Sequence, residues 1–408
     1  MKTFNFKSTG VAASMLLAAG MAHGQAQPVT TDPGKFELTW FGTADVSVVS
    51  SDTGNGMKTR VEGGGGMSAS RLGVRARRSF NDGINVLAVL EAGLGWDNGA
   101  LGGGTPATGA NVTGVSSGGL PGSGPRVFSR QAYAGINSGY GTLTIGRQYT
   151  GSYFGAAGVG SAWPDGLFAN PANLLAGSIG GMPTRADNSI VYQTPNLAGF
   201  SAYVTATTGS ENNLSAPAGT AAATITDKSG QGFDLFLKYK NGPATVAAST
   251  WHVKAAAYNA GAGETGLATK SGGLITGAYD FGVVYATALY VTGTIKGGNY
   301  ENVTRTFSKG EGWGGTLLFP FGEGNRHDVM VGYAELRDKS LVPRKAKLAG
   351  IAYWYQLEEK TKLYASYGQM KNSANAAFGL VDAGNLIGNV VTPGFRPKAF
   401  EVGMLYQF

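Results

Sequence analysis

Arg71, Arg75 and Arg77 fall on alternate positions of the stretch SRLGVRARRSF at 70–80. In a β-strand that spacing puts the three guanidiniums on one face with Gly73, and Leu72, Val74 and Ala76 on the other. Guanidiniums stay charged at any physiological pH. Held in a ring, they do electrostatic rather than bond-breaking chemistry: they concentrate anions and repel cations. Arginine pointing at mid-bilayer lipid costs about 2–4 kcal/mol, so these side chains must face water. Arg185 shares a predicted face with Asp187, Ser189 and Gln193, opposite Ile190 and Tyr192. Arg130 and Arg147 lie where alternation is looser, and parity leaves their facing open. The acids from Arg71 to Asp187 are Asp82, Glu91, Asp97, Asp165 and Asp187. Asp82 falls in a turn signal and Asp97 at a loop end. That leaves Glu91, Asp165 and Asp187 to oppose the arginines, either partly or as neutralising partners.

Other chemistries find little support. With no Cys there is no disulfide framework, thiolate ligand or thiol nucleophile. His252 and His327 sit on different predicted strands, and no Ser–His pair with an orienting group accompanies either. No spacing suggests a metal site, and the glycines of 98–125 match no phosphate-cradling pattern. No enzyme and no cofactor is expected. Tyr353, Trp354 and Tyr355 could stack a ligand, but read better as an interfacial girdle or subunit contact. Removing Lys2 and Lys7 with the targeting segment lowers the formal net charge of +7 by two. With no long basic run, nucleic acid is not an expected partner.

The elements that must carry the arginines are strands. Of 408 residues, 67 are Gly and 14% are charged, with 18 Tyr and 19 Phe. No run of 18 apolar residues exists, which excludes a helical membrane protein but not a barrel, whose strands are half apolar. The terminal stretch KAFEVGMLYQF places Phe400, Val402, Met404, Tyr406 and Phe408 on one face. An open apolar edge of this kind recruits other chains. Closed into a barrel it has no edge, and lipid solvates it. The alternative is the last strand of a soluble sandwich. In the first strand, 35–49, Phe36, Leu38, Trp40, Ala44, Val46 and Val48 share a face, with Phe41 an exception on the other. Further alternating runs, short turns on one side and long loops on the other, give about sixteen strands, a size that leaves an aqueous channel.

Residues 1–26 read as a signal peptide, with Lys2 and Lys7 before the apolar core VAASMLLAAGM and cleavage after 24 or 26. Residues 27–408 then form one domain. Ser50 to Gly66 and 98–125 read as loops. The segment 150–184 is too long and too apolar for an idle loop. It is either a surface Ω-loop or a loop folded into the lumen.

Motifs now point to a family. SRLGVR at 70–75, SRQAYAGINSGYGTLTIGRQY at 129–149, ADNSIVYQTPNLAGF at 186–200, FLKYKNGPATVAA at 236–248 and the terminal YQF occur in order over nearly the whole mature chain. They resemble the general, non-specific trimeric porins of β-proteobacteria. The resemblance implies an all-β transmembrane antiparallel barrel of sixteen strands, a homotrimer, and an external loop, here about 150–184, folded into the lumen as a constriction. It implies an outer-membrane location among lipid and lipopolysaccharide, passive diffusion of small hydrophilic solutes, and assembly machinery that recognises an aromatic closing strand, here Tyr406 and Phe408. In anion-selective members arginines line the constriction. The matching positions are Arg71, Arg130 and Arg185, with Arg75, Arg77 and Arg147 as neighbours and Glu91 and Asp165 as opposing acids. Two departures make the constriction more positive: Arg77-Arg78-Ser79-Phe80 stands where acids are usual, and loop 150–184 carries Asp165 as its one acid. Small anions are the expected permeants. A substrate-specific saccharide or dicarboxylate channel and a secreted β-rich adhesin remain as alternatives. Replacing Arg71, Arg130 and Arg185 together by Ser is expected to shift ion preference while leaving trimer stability nearly unchanged.

Overall fold

The computed structural model describes residues 34–80, 83–101, 127–156, 167–175, 182–209, 228, 230–256, 267–299, 302, 308–382, 385–386 and 391–408. The expected signal peptide, Asp82, Asp165 and most of 98–125 lie outside the described residues.

The wall begins with β1 (Phe36–Asp52), β2 (Met57–Glu62), β3 (Arg71–Ser79), β4 (Asn85–Gly93), β5 (Gln131–Ser138) and β6 (Gly141–Tyr149). Two short helices follow, α1 (Gly151–Ala156) and α2 (Ala172–Leu175). The wall resumes with β7 (Arg185–Gln193), β8 (Phe200–Thr207), β9 (Gly232–Asn241), β10 (Ala244–Ala256), β11 (Leu267–Asp280) and β12 (Tyr285–Gly297). It is completed by β13 (Lys309–Phe321), β14 (His327–Asp338), β15 (Arg344–Glu358), β16 (Thr361–Asn372) and, after the two-residue strands β17 (Val381–Asp382) and β18 (Asn385–Leu386), by β19 (Lys398–Gln407).

Every neighbouring pair is antiparallel, and β19 pairs with β1 from Thr43↔Gln407 to Asp52↔Lys398, so the sheet closes. The lower part of β1 pairs with β3 and the upper part with β2. β2 and β3 therefore share one place in the wall, and the wall has sixteen places. The expected loop 50–66 thus contains a strand. Between β2 and β3 the chain turns inward, and Asp45 of β1 holds it there: Ser68 N donates to Asp45 Oδ2 at 2.7 Å, and Tyr364 Oη donates to Oδ1 at 2.5 Å.

Alternation decides what each face meets. On β1 and β19, Phe36, Leu38, Trp40, Phe400, Val402, Met404 and Tyr406 are exposed on the outside, Trp40 by 64%. A continuous apolar surface of that extent is untenable in water, at about 25 cal/mol per Å² exposed, and suits lipid. Thr43, Asp45, Ser47, Glu401 and Leu405 face inward and are buried. The connection 339–343 is short although it lies at the long-loop end. Asp338 explains this, since it accepts from Ser340 N at 2.9 Å and pairs with Arg344.

A continuous apolar core sits inside the barrel, where Leu167, Phe168, Leu174 and Leu175 pack with Met330, Leu336, Leu348 and Trp354. Trp354 corrects the expected aromatic girdle. It is 1% exposed and inward, whereas Tyr353 is 38% exposed and outward.

Candidate pore site

The arginines gather on one arc of the inner wall. Thr43↔Arg71, Thr39↔Arg75 and Glu37↔Arg77 pair across β1 and β3, which fixes all three on the inward face. Arg75 lies 5.0 Å from the centroid of Phe41, so the apolar exception of β1 becomes a cation–π seat rather than a lipid contact. Arg77 Nε donates to Asn85 Oδ1 at 3.2 Å. Arg71 is 1% exposed, behind the inward turn 63–70, and its Nη2 donates to Ser68 Oγ at 3.0 Å. It therefore acts on the pore through its field and not by contact.

Arg130 and Arg185 meet at Tyr149, the last residue of β6. Arg130 Nη2 donates to Tyr149 Oη at 2.5 Å and Arg185 Nη2 to the same oxygen at 2.6 Å. Arg185 also lies 4.3 Å from the ring centroid. A phenol oxygen with two lone pairs and a π face can hold two cations side by side without adding a negative charge. On its other side Arg130 Nε donates to Glu91 Oε1 at 2.5 Å, and Gln131 Nε2 donates to Glu91 Oε2 at 2.6 Å. Glu91 is fully buried, so its charge is spent on Arg130 and not presented to the lumen. Arg147 is likewise bound to Asp187, and its Nε donates to Ser129 O at 2.7 Å. The register shift between Gly146 and Gln148 is what left Arg147 unresolved by parity. Neutralisation is thus partial. Glu91 and Asp187 each take one arginine, while Arg71 and Arg185 form no ion pair among the described residues.

After Tyr149 the described parts of the following segment, α1 and residues 167–175, lie on the inside of the barrel. Its neck is closed by Thr150 N donating to Thr184 O at 3.2 Å. α1 lies on β8–β11, where Ser152 N donates to Asp234 Oδ1 at 3.1 Å and Phe154 meets Tyr203 of β8 edge-on at 5.3 Å. Residues 167–175 reach β13–β16, and Phe168 N donates to Ser366 Oγ at 2.9 Å.

The seat for that contact was missed in the sequence. Gly332, Gly350 and Gly368 pair with one another across β14–β16 and form an inward row. A Cβ on Gly332 would lie 1.7 Å from Ala169 O, and one on Gly350 would lie 2.5 Å from Phe168 O. The row lets the 167–169 backbone lie directly on the wall. Three inward strand glycines at one spacing carry this signal, but only the pairing register gives it meaning.

At the seam, Phe408 donates its N–H to Gly42 O at 3.2 Å and accepts from Gly42 N at 3.1 Å. Its ring covers Gly42, and a Cβ there would lie 2.2 Å from Phe408 Cζ.

A family model described as Gram-negative porin matches residues 10–375. An outer membrane porin protein of Bordetella pertussis is 29% identical over 331 residues, 76% of this chain and 79% of its own. Outer membrane porin protein 32 of Delftia acidovorans is 26% identical over 416 residues, 98% of this chain and all of its own. Among solved structures, an anion-selective porin from Comamonas acidovorans superposes with a TM-score of 0.70 at 22% identity, covering 92% of this chain and 100% of that one.

Proposed function

The chain belongs to the Gram-negative porin family, and from that premise we propose that this outer-membrane diffusion channel is an anion-preferring homotrimer. Arg71, Arg75, Arg77, Arg130, Arg147 and Arg185 set its selectivity. The observation that carries the reading is the surplus of cations on one inner arc, six arginines with Arg130 and Arg185 sharing Tyr149, against Glu37, Glu91 and Asp187 beside them among the described residues. In a narrow pore with low-dielectric walls such a surplus attracts anions. The anion-selective relative of similar fold supports the reading, as does a relative of similar fold solved as a trimer. In planar bilayers the protein should insert with conductance in sets of three steps that grows with KCl without saturating. Saturable block by one solute would favour a substrate-specific channel, and failure to insert would refute the pore.

The described parts of the segment 150–184 narrow the pore, α1 from its seat on the inner wall and residues 167–175 from the glycine row. Replacing Gly332 by Val puts carbon atoms where Ala169 O lies. The loop should lift off its seat, raising single-channel conductance and leaving the oligomer intact. Unchanged conductance would show that the segment does not limit the flow.

Phe408, with Tyr406 on the same outward face, directs assembly. Deleting Phe408 also removes its two backbone bonds to Gly42, so a Phe408→Ala variant isolates the ring. Outer-membrane yield should fall in both, and the molecules that do insert should conduct like the parent. Parental yield from Phe408→Ala would contradict the assignment.

A further inference from the structure

The inside of a water-filled barrel is polar, and near the short turns this wall obeys. Ser79, Asn85, Asn137, Thr142 and Gln193 pair across β3–β7 in one inward row. The two inward rows above it break the pattern. Arg77 pairs with Leu87, and Arg75 pairs with Val89, which pairs in turn with Tyr133. Phe41 is the one aromatic side chain on the inward face of β1. Its ring lies over Gly73, where a Cβ would sit 2.3 Å from Phe41 Cζ, and Arg75 stands 5.0 Å from its centroid. Phe41, Leu87, Val89 and Tyr133 therefore make an apolar floor across β1–β5. It lies on the short-turn side of Glu91 and Gln131, which pair in the next row up.

The floor is not part of the packing that seats the inner loop. None of its four residues joins the apolar core around Phe168 and Leu174. Phe41, Leu87 and Tyr133 are only half-buried. Nor does the ring of arginines need it, since a fixed charge acts as well across serine or threonine as across leucine. The two guanidiniums that edge the floor are positioned by neighbours. Arg75 has the Phe41 ring, and Arg77 Nε donates to Asn85 Oδ1 at 3.2 Å. Glu37, the acid across from Arg77 on β1, is held by Lys35 at 2.9 Å.

We propose that this floor is a transit site for aromatic monocarboxylates. The solute's ring lies on Leu87 and Tyr133, and its carboxylate turns toward Arg75 and Arg77. Charge complementarity selects an anion, and the floor selects an anion with a flat apolar body. Contact is on one face of the solute only, so the site enriches it in the pore without trapping it, as a diffusion channel requires. The inference rests on the anion-preferring reading and adds a solute class to it.

The test uses the purified full-length protein in planar bilayers. Zero-current potentials are read with potassium benzoate, and separately potassium nicotinate, against KCl at equal concentration. The two organic anions share charge and shape, but nicotinate carries a ring nitrogen that water solvates. In the parent, benzoate should be about threefold more permeant than nicotinate. Leu87→Asn keeps the side chain's size and should bring the two anions level, whereas Leu87→Met should keep the parent's ratio. Equal permeability of the two anions in the parent would overturn the proposal whether or not either variant inserts. So would the parent's ratio in Leu87→Asn. The chloride-to-potassium ratio of the same channels reads the arginines separately. A potassium preference there would refute the anion reading, whereas level anions beside a chloride preference would refute the floor alone.

Discussion

An Arg130→Ser variant is expected to lose much of its stability, and Glu91 is the reason. Glu91 is wholly buried and its two oxygens are held by Arg130 Nε and Gln131 Nε2. Serine is too short to reach it, so the carboxylate would keep its desolvation cost and lose its hydrogen-bonded counter-charge. Breaking one side of a buried pair costs about 3–5 kcal/mol. The oligomer should therefore dissociate in detergent at a markedly lower temperature than the parent, as read by gel migration and circular dichroism on heating. Adding Glu91→Gln removes the stranded charge and should restore most of the loss, giving a coupling that two independent sites would lack. Parental stability of Arg130→Ser alone would show that the pair is not what holds β4 to β5. A loss of stability in Arg130→Ser would run against the expectation that Arg71, Arg130 and Arg185 can be replaced together at nearly unchanged stability. Arg130 carries structural weight, and a selectivity test should leave it in place.

Arg185 offers that cleaner test. Its guanidinium rests on Tyr149 and, among the described residues, forms no ion pair and finds no hydrogen-bond partner for Nε. Removing it deletes a fixed charge without stranding an acid. A unit charge roughly 7 Å from a permeating ion, at an effective dielectric constant of about 60, is worth about 0.8 kcal/mol. That is about fourfold for each ion and of opposite sign for anion and cation. Arg185→Ser should therefore move the anion-to-cation permeability ratio by roughly fifteenfold, and Arg185→Glu by about the square of that. The shift should be read at low salt, because the Debye length is only about 10 Å at 0.1 M. An Arg185→Glu pore with the parent's ion preference would remove Arg185 from the selectivity mechanism.

Much of this frame is legible in the chain. A period of two places Arg71, Arg75 and Arg77 inward, and Phe400 to Phe408 outward, because a barrel wall has only two faces. Three features are not legible, each for a physical reason. The convergence of Arg130 and Arg185 on Tyr149 depends on the register shift after Gly146, and a one-residue shift defeats parity. The strand β2 is only six residues between Gly-rich stretches, and it exists because β1 is long enough to pair with it above β3. Gly332, Gly350 and Gly368 look like weak strand positions until Phe168 and Ala169 are seen lying on them. That β3 turns Arg71, Arg75 and Arg77 inside was thus readable. Which acid each arginine spends itself on was not, because Glu91 and Arg130 are neighbours only across paired strands.

The central claim is that a surplus of fixed cations inside this barrel makes it pass anions more readily than cations. It is tested most directly by the zero-current potential of the unmodified protein in a planar bilayer across a KCl gradient. The dilute side should be near 0.01 M, where the Debye length is about 30 Å. The potential should have the sign of chloride preference and should shrink toward zero as both solutions are made more concentrated at constant ratio. A potential of zero, or one with the sign of potassium preference, at the lowest salt would contradict the account.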